Sequence, residues 1–193
     1  MKIVFLDRDG VINQYPGDGH YVTKLKDFHF LPGSLQAICD LTKAGYKIFV
    51  ISNQAGVGRG VFSQEKLKRI NAHMIKQVEK VGGKIRKSFY CTHRPDAGCE
   101  CRKPGIGLVH KALASVHQTI EHTNGAFFVG DSQKDIQTGH KVGCKTIFVL
   151  SGGEQRPSRW IVKPDFIVND LKAASEIICH ENFSYPRNSR GRA

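Results

Sequence analysis

Short apolar runs recur along this chain, separated by segments of mixed character. Lys2–Leu6, Tyr46–Ile51, Ser88–Cys91, Ala126–Val129, Thr146–Leu150 and Phe166–Val168 read as strands, most of them rich in Val, Ile and Phe. Runs that are continuously apolar, rather than alternating, suit strands buried on both faces, as in a parallel sheet. Helical patterns lie between them. Ser34 to Ala44 follows Pro32-Gly33 and stops at Gly45, a start signal and a glycine stop. Ser63 can cap a helix to about Val81, in which Leu67, Ile70, Met74, Val78 and Val81 recur three or four apart and define one buried face. Further helices are expected near 106–121, 133–142 and 171–180.

Strand–helix alternation predicts an α/β fold of three layers, a Rossmann-like, mainly parallel sheet flanked by helices. No internal repeat is visible. Residues 1–181 are expected to form a single domain, and 182–193 a basic, disordered tail carrying Arg187, Arg190 and Arg192. Residues 10–33 form a long connection with Gly and Pro after the first strand, and long loops in compact domains are often functional. No large insertion suggests a separate cap over the site.

Composition narrows the class without choosing a function. Of 193 residues, 40% are apolar and 24% charged, which excludes wholesale disorder, collagen and coiled coil. The apolar runs are too short to span a membrane. The first of them is cut by Asp7-Arg8-Asp9 too early for a secretory signal, so a cytoplasmic protein is expected. The net charge of +12 points to anionic partners. Eight Lys or Arg against two Glu in residues 64–88 read as a solvated helix face. Cys39, Cys144 and Cys179 read as small core residues, and Trp160 as packing.

Chemistry concentrates where strands end. Asp7 and Asp9 follow the first strand, and residues two apart on an extended chain face the same side. Both carboxylates can therefore converge at the carboxyl edge of the sheet, where open α/β sheets bind ligands. A second acidic strand end, Gly130-Asp131-Ser132-Gln133-Lys134-Asp135, follows Ala126–Val129. Carboxylates gathered at one edge repel one another unless a cation sits among them, and Mg²⁺ suits carboxylate oxygens together with phosphate. Ser52-Asn53-Gln54-Ala55-Gly56 ends another strand, and Arg102-Lys103-Pro104 adds positive charge.

Cys91, His93, Cys99 and Cys101 form Cys-x-His and Cys-x-Cys pairs separated by five residues. Three thiolates and one imidazole complete a tetrahedral set for Zn²⁺, with no position open for catalysis. Pro95 and Gly98 let the loop double back. A structural zinc here would fix the loop that presents Arg102 and Lys103.

The order Asp-x-Asp-Gly, Ser-Asn-Gln, Lys, Gly-Asp-x-x-x-Asp, each at a strand end, resembles the haloacid dehalogenase-like phosphatase superfamily over about residues 2–180. The resemblance implies a phosphatase. Asp7 would be the nucleophile and Asp9 the general acid and base, with Ser52 and Lys103 stabilising the phosphoryl group. Asp7, Asp131 and the backbone carbonyl of Asp9 would hold Mg²⁺, and Asp135 would orient Lys103 or a metal-bound water. The cysteine cluster resembles the subgroup of heptose-bisphosphate and histidinol-phosphate phosphatases. Asn53 to Gly60 and Gly19-His20-Tyr21-Val22 are more similar to the heptose branch, which acts in lipopolysaccharide and glycan precursor synthesis. That branch implies sugar contacts from Asp18, Gly19, His20, Tyr21, Asn53, Gln54 and Ala55, and recognition of the distal substrate end by Arg102. Ser132 departs from it, since the heptose enzymes carry Lys there.

Two alternatives keep the chemistry and change the substrate, to histidinol phosphate or to the 3′-phosphate of a nucleic-acid end. Nucleic acid is disfavoured, because stacking aromatics are sparse near the basic stretch. A third reading is a zinc-containing binding module without catalysis. A phosphorylated sugar substrate, no membrane partner and a monomer are the expectations carried forward.

Overall fold

In the computed structural model, which describes residues 1–154 and 159–181, six parallel strands form one sheet. The strands are β1 (Ile3–Leu6), β2 (Lys47–Asn53), β3 (Ile85–Cys91), β4 (Phe127–Gly130), β5 (Lys145–Val149) and β6 (Phe166–Val168), in the spatial order β3-β2-β1-β4-β5-β6. The helices are α1 (Ser34–Lys43), α2 (Ala55–Gly58), α3 (Gln64–Lys80), α4 (Gly107–Ala114), α5 (Gln133–Lys141) and α6 (Leu171–Glu181). The expected tail, 182–193, lies outside the described residues.

The strand β1 explains why its sequence is apolar at every position. Val4 and Leu6 pack with Ile38 and Leu41 of α1, Ile70 and Met74 of α3, and Ile178 of α6. Ile3 and Phe5 face the other way, toward Leu108 and Leu113 of α4. All four strand residues are fully buried. Crossover helices thus cover both faces, and the carboxyl ends of the strands remain the open edge.

The outcome departs from expectation in four places. The helix expected at 106–121 ends at Ala114, because His117 has φ 55° and cannot continue a right-handed helix; a 3₁₀ turn follows at Ile120–Thr123. The strand expected at Ser88–Cys91 begins at Ile85, its first half hidden by Arg86 and Lys87, which are exposed on an edge strand. Val81 does not join the buried face of α3; it is the residue after the last turn and is exposed. The short helix α2, with two glycines, has no counterpart among the helices expected from the sequence. Trp160 packs edge-on against Phe148, as expected, at 4.8 Å between ring centroids.

Helix α5 carries Asp135 to the site, and its seat depends on a close approach. A Cβ on Gly139 would stand 2.5 Å from Thr146 Cγ2 and 2.9 Å from Phe128 Cβ. Gly139→Ala should therefore destabilise the fold by about 1–3 kcal/mol, read as a lower urea midpoint with an unchanged slope.

Candidate active site

The carboxyl edge of the sheet holds the acids and cations that the sequence places at strand ends. Asp7 continues β1, its N–H bonded to Val129 O of β4 at 3.0 Å. The chain then reverses sharply, with Arg8 O accepting the N–H groups of Ile12 and Asn13 at 2.8 and 3.1 Å. Gly10 makes that turn at φ 82°, and a Cβ there would run into the Asp131 carboxylate. Glycine is required for both reasons.

Lys103 reaches the same point from the loop after β3. Its ammonium, on a side chain only 2% exposed, donates to Ile51 O at 2.8 Å and pairs with Asp135 at 2.5 Å and Asp7 at 3.0 Å. Asn53 holds the lysine backbone from both sides, accepting from Lys103 N–H at 3.0 Å and donating to Lys103 O at 3.1 Å. Asp135 caps its own helix by accepting from Ser132 N–H and Oγ, which fixes it as the lysine's partner. Asp131, at the end of β4, accepts from Gly153 N–H at 3.1 Å. The loop carrying Gly153 is tied back by Ser151 Oγ donating to Gly10 O at 2.7 Å.

These groups open into one cavity of about 330 Å³. Asp7, Asp9, Ser52, Asn53, Lys103 and Asp131 line its floor, while Asp18, Gly19, His20, Tyr21 and Arg102 line its walls. Gln54 and Ala55 are a correction: both are buried and outside that lining. Gln54 points inward instead, donating to Asp9 Oδ2 at 2.8 Å and to Ser52 Oγ at 3.2 Å. The amide of Asn53 is likewise committed to Lys103. Sequence reasoning missed Tyr15, whose hydroxyl donates to Asp18, and it missed Arg59, Lys134 and Glu154 as lining residues. Arg59 carried a signal in the glycine-rich Gly56-Val57-Gly58-Arg59-Gly60; the others depend on where loops fold.

Among the described residues, two groups of side chains could hold metal ions. Asp7, Asp131 and Asp135 each present an oxygen within 4.8 Å of the others. Hard carboxylate oxygens around a single lysine suit a small divalent cation. Cys91, His93, Cys99 and Cys101 form the second group. Their sulfur–sulfur distances are 3.3, 3.5 and 3.6 Å, and His93 Nδ1 is 3.2 Å from Cys101 Sγ. Ligand distances of about 2.3 Å for sulfur in a tetrahedral zinc site imply edges of about 3.7 Å, so the donor set fits such an ion. Cys101 lies two residues before Lys103, and the end of α2 rests on this loop, where Gly58 lies against Thr92 O.

A sheet of this order, with these acids and this lysine at its carboxyl edge, defines a haloacid dehalogenase-like phosphatase, a phosphoric monoester hydrolase. A HAD-hydrolase-like family model matches residues 100–174. The D-glycero-beta-D-manno-heptose-1,7-bisphosphate 7-phosphatase of Pseudomonas putida is 38% identical, over 92% of this chain and all of that protein. The D,D-heptose 1,7-bisphosphate phosphatase of Bordetella bronchiseptica, solved with magnesium and phosphate, superposes with a TM-score of 0.85 at 35% identity, covering 94% of this chain and 99% of that one. An alpha-anomer 7-phosphatase of Photorhabdus laumondii is 29% identical over 92% of this chain and 97% of that protein. The chain belongs to the family of D-glycero-D-manno-heptose-1,7-bisphosphate 7-phosphatases. Among the described residues no helix is long and apolar enough to cross a membrane.

Crowded acids leave an electrostatic mark. Burial, opposed by Lys103 and reinforced by Asp135 and Asp9, pushes the Asp7 carboxyl up to about 6. Asp131 is raised well above the usual range, first by burial and then by Asp7 and Asp135. Burial works against the Lys103 ammonium, but Asp135 and Asp7 outweigh it and raise its pKa. A carboxyl raised on folding binds its proton more tightly in the folded state. Its contribution is present below about pH 4 and is lost as pH rises through about 6. Without added magnesium, Asp131→Asn should therefore melt higher than wild type at pH 7.5, by about 2–4 °C for each kcal/mol of repulsion removed, and the gap should narrow at pH 4. Differential scanning fluorimetry at the two pH values checks this.

Proposed function

We propose that this enzyme hydrolyses the 7-phosphate of D-glycero-β-D-manno-heptose 1,7-bisphosphate, supplying a precursor for activated heptose and the glycans built from it. The observation that carries the reaction is the convergence of Asp7, Lys103 and Asp131 at one point of the cavity floor. The 38% identity to the beta-anomer enzyme supports the substrate. So do the cations Arg59, Arg102 and Lys134 along the same cavity, which suit a second phosphate. Lys134 stands two residues beyond Ser132 and puts a lysine in the cavity lining. We take the enzyme to be a cytoplasmic monomer whose partner is this sugar phosphate, with no membrane or nucleic-acid partner.

In the first half of the reaction an Asp7 oxygen bonds to phosphorus and the bond to the sugar oxygen breaks. That oxygen takes a proton from Asp9 and leaves as the alcohol. In the second half a water oxygen bonds to phosphorus, its proton passes to Asp9, and Asp7 is released as carboxylate with free phosphate. Lys103 and Ser52 stabilise the phosphoryl oxygens, and Asp135 keeps the Lys103 ammonium in place. Asp18, Gly19, His20 and Tyr21 border the sugar. Asp7, Asp131 and the backbone carbonyl of Asp9 would hold magnesium, which would supply neutralising charge for the attack of a carboxylate on an anionic phosphate. Cys91, His93, Cys99 and Cys101 would hold zinc, which would pin the loop that presents Arg102 and Lys103.

Phosphate release in magnesium should favour the β-anomer of the heptose bisphosphate over histidinol phosphate and a 3′-phosphorylated oligonucleotide by about 100-fold in kcat/KM, or about 2.7 kcal/mol. A flat profile would refute the substrate assignment while leaving the chemistry intact. Asp7→Asn should abolish release from every substrate. Cys99→Ser should lose stoichiometric zinc, measured by elemental analysis, and melt at a lower temperature. Zinc content equal to wild type would refute the ligand set.

A further inference from the structure

Asp9 is held from three sides. Its Oδ1 accepts from Arg8 Nε at 3.1 Å, Arg8 Nη2 at 3.0 Å and Asn13 Nδ2 at 2.8 Å. Its Oδ2 accepts from Arg8 Nη2 and Gln54 Nε2, both at 2.8 Å. Arg8 is fully buried and heads the largest buried side chains of the fold. Strand alternation should send it to the face opposite Asp7 and Asp9, yet its guanidinium turns back onto its neighbour. It lies over the Tyr90 ring, 5.8 Å from the centroid, and the Tyr90 hydroxyl donates to Asn71 of α3 at 2.7 Å. Helix and edge strand thus brace the arginine from behind.

This arrangement is costly. Taking a guanidinium out of water is unfavourable unless its partners compensate, and a hydrophobic side chain of similar size usually serves the fold as well or better. Nη1 of Arg8 has no hydrogen-bond partner among the described residues, so the compensation is incomplete. Gln54 repeats the pattern: it is fully buried, its Oε1 is likewise unpartnered, and its amide reaches Asp9 from the end of β2. Two buried polar side chains, each incompletely satisfied, share one carboxylate. Turn formation alone explains neither, since the reversal after Asp7 is made by backbone bonds to Arg8 O.

We propose that Arg8 and Gln54 are positioning residues that, with Asn13, set where the Asp9 carboxyl stands for proton transfer to the leaving oxygen. This rests on the assignment of Asp9 as the acid in the proposed function. Neither residue lines the cavity, so neither touches substrate: Arg8 acts through Asp9, and Gln54 acts through Asp9 with a longer second bond to Ser52 Oγ. The transfer matters in proportion to the basicity of the leaving oxygen. A sugar alkoxide needs the proton as the phosphorus–oxygen bond breaks; a nitrophenolate leaves without one. Misplacing Asp9 should therefore slow the first substrate and spare the second.

The test measures kcat/KM for the heptose bisphosphate and for 4-nitrophenyl phosphate in Arg8→Met and Gln54→Ala, each also made in an Asp9→Asn background. General acid catalysis contributes about 10²–10⁴-fold, so each single variant should lose about 10- to 100-fold on the sugar phosphate and under about 3-fold on the aryl phosphate. Neither should lose anything further once Asp9 is already Asn. Equal loss on both substrates, or added loss in the Asp9→Asn background, would overturn the proposal and mark a purely structural role. If Asp9→Asn itself slowed both substrates equally, the assignment of Asp9 as the acid would fall, and the proposal with it. If Arg8→Met does not fold, Gln54→Ala carries the test in a Ser52→Ala background, which removes its second bond, and the same selective loss on the sugar phosphate is expected there.

Discussion

One buried ammonium organises this site. Lys103 is almost inaccessible to water and stands between Asp7 and Asp135. Removing the lysine would leave two buried carboxylates without their cation, which costs several times what an exposed ion pair gains. The fold therefore devotes much of its carboxyl edge to this contact. Ile51 O at the end of β2 takes a third bond from the lysine, Asn53 clamps its backbone, and the cap of α5 fixes Asp135. Each strand end that carries chemistry is tied to the others through this nitrogen or through the acids around it.

The same constraint links stability to function. Three acids and one lysine leave the site short of positive charge, and Asp7 and Asp131 register this as raised pKa values. The imbalance opposes folding at neutral pH and suits the three acids to a divalent cation. The cysteine cluster belongs to this account at one remove. Its four donors stand close enough together to hold a metal ion, and the last of them, Cys101, lies two residues before the lysine.

Much of this was legible in the sequence because buried parallel strands write a plain code. An apolar run that stops at an acid marks both the strand and the edge where ligands bind, and β1 and β4 follow it with Asp7 and Asp131. The tight Cys-x-His and Cys-x-Cys pairs were readable because four donors so close in sequence have few ways to stand apart. Other features lay beyond pattern. Gln54 sits in a strand-end motif beside Ser52, but its inward direction is set by Asp9, which is distant in sequence. Lys134 on α5 and Glu154 in the loop after β5 share the cavity lining with residues 15–21, a meeting of segments distant in sequence. His117 ends a helix through a backbone conformation that propensity does not foresee for histidine.

The central claim is that Asp7 carries the phosphoryl group between substrate and water. The most direct measurement mixes excess enzyme with the heptose bisphosphate and magnesium, and quenches in acid within one turnover. Borohydride then reduces any acyl phosphate, and the peptide containing residue 7 is sequenced by mass spectrometry. Homoserine at position 7, formed only with substrate and absent in Asp9→Asn when no substrate is added, is the predicted result. An unmodified Asp7 throughout the turnover, with phosphate released at the normal rate, would contradict the account.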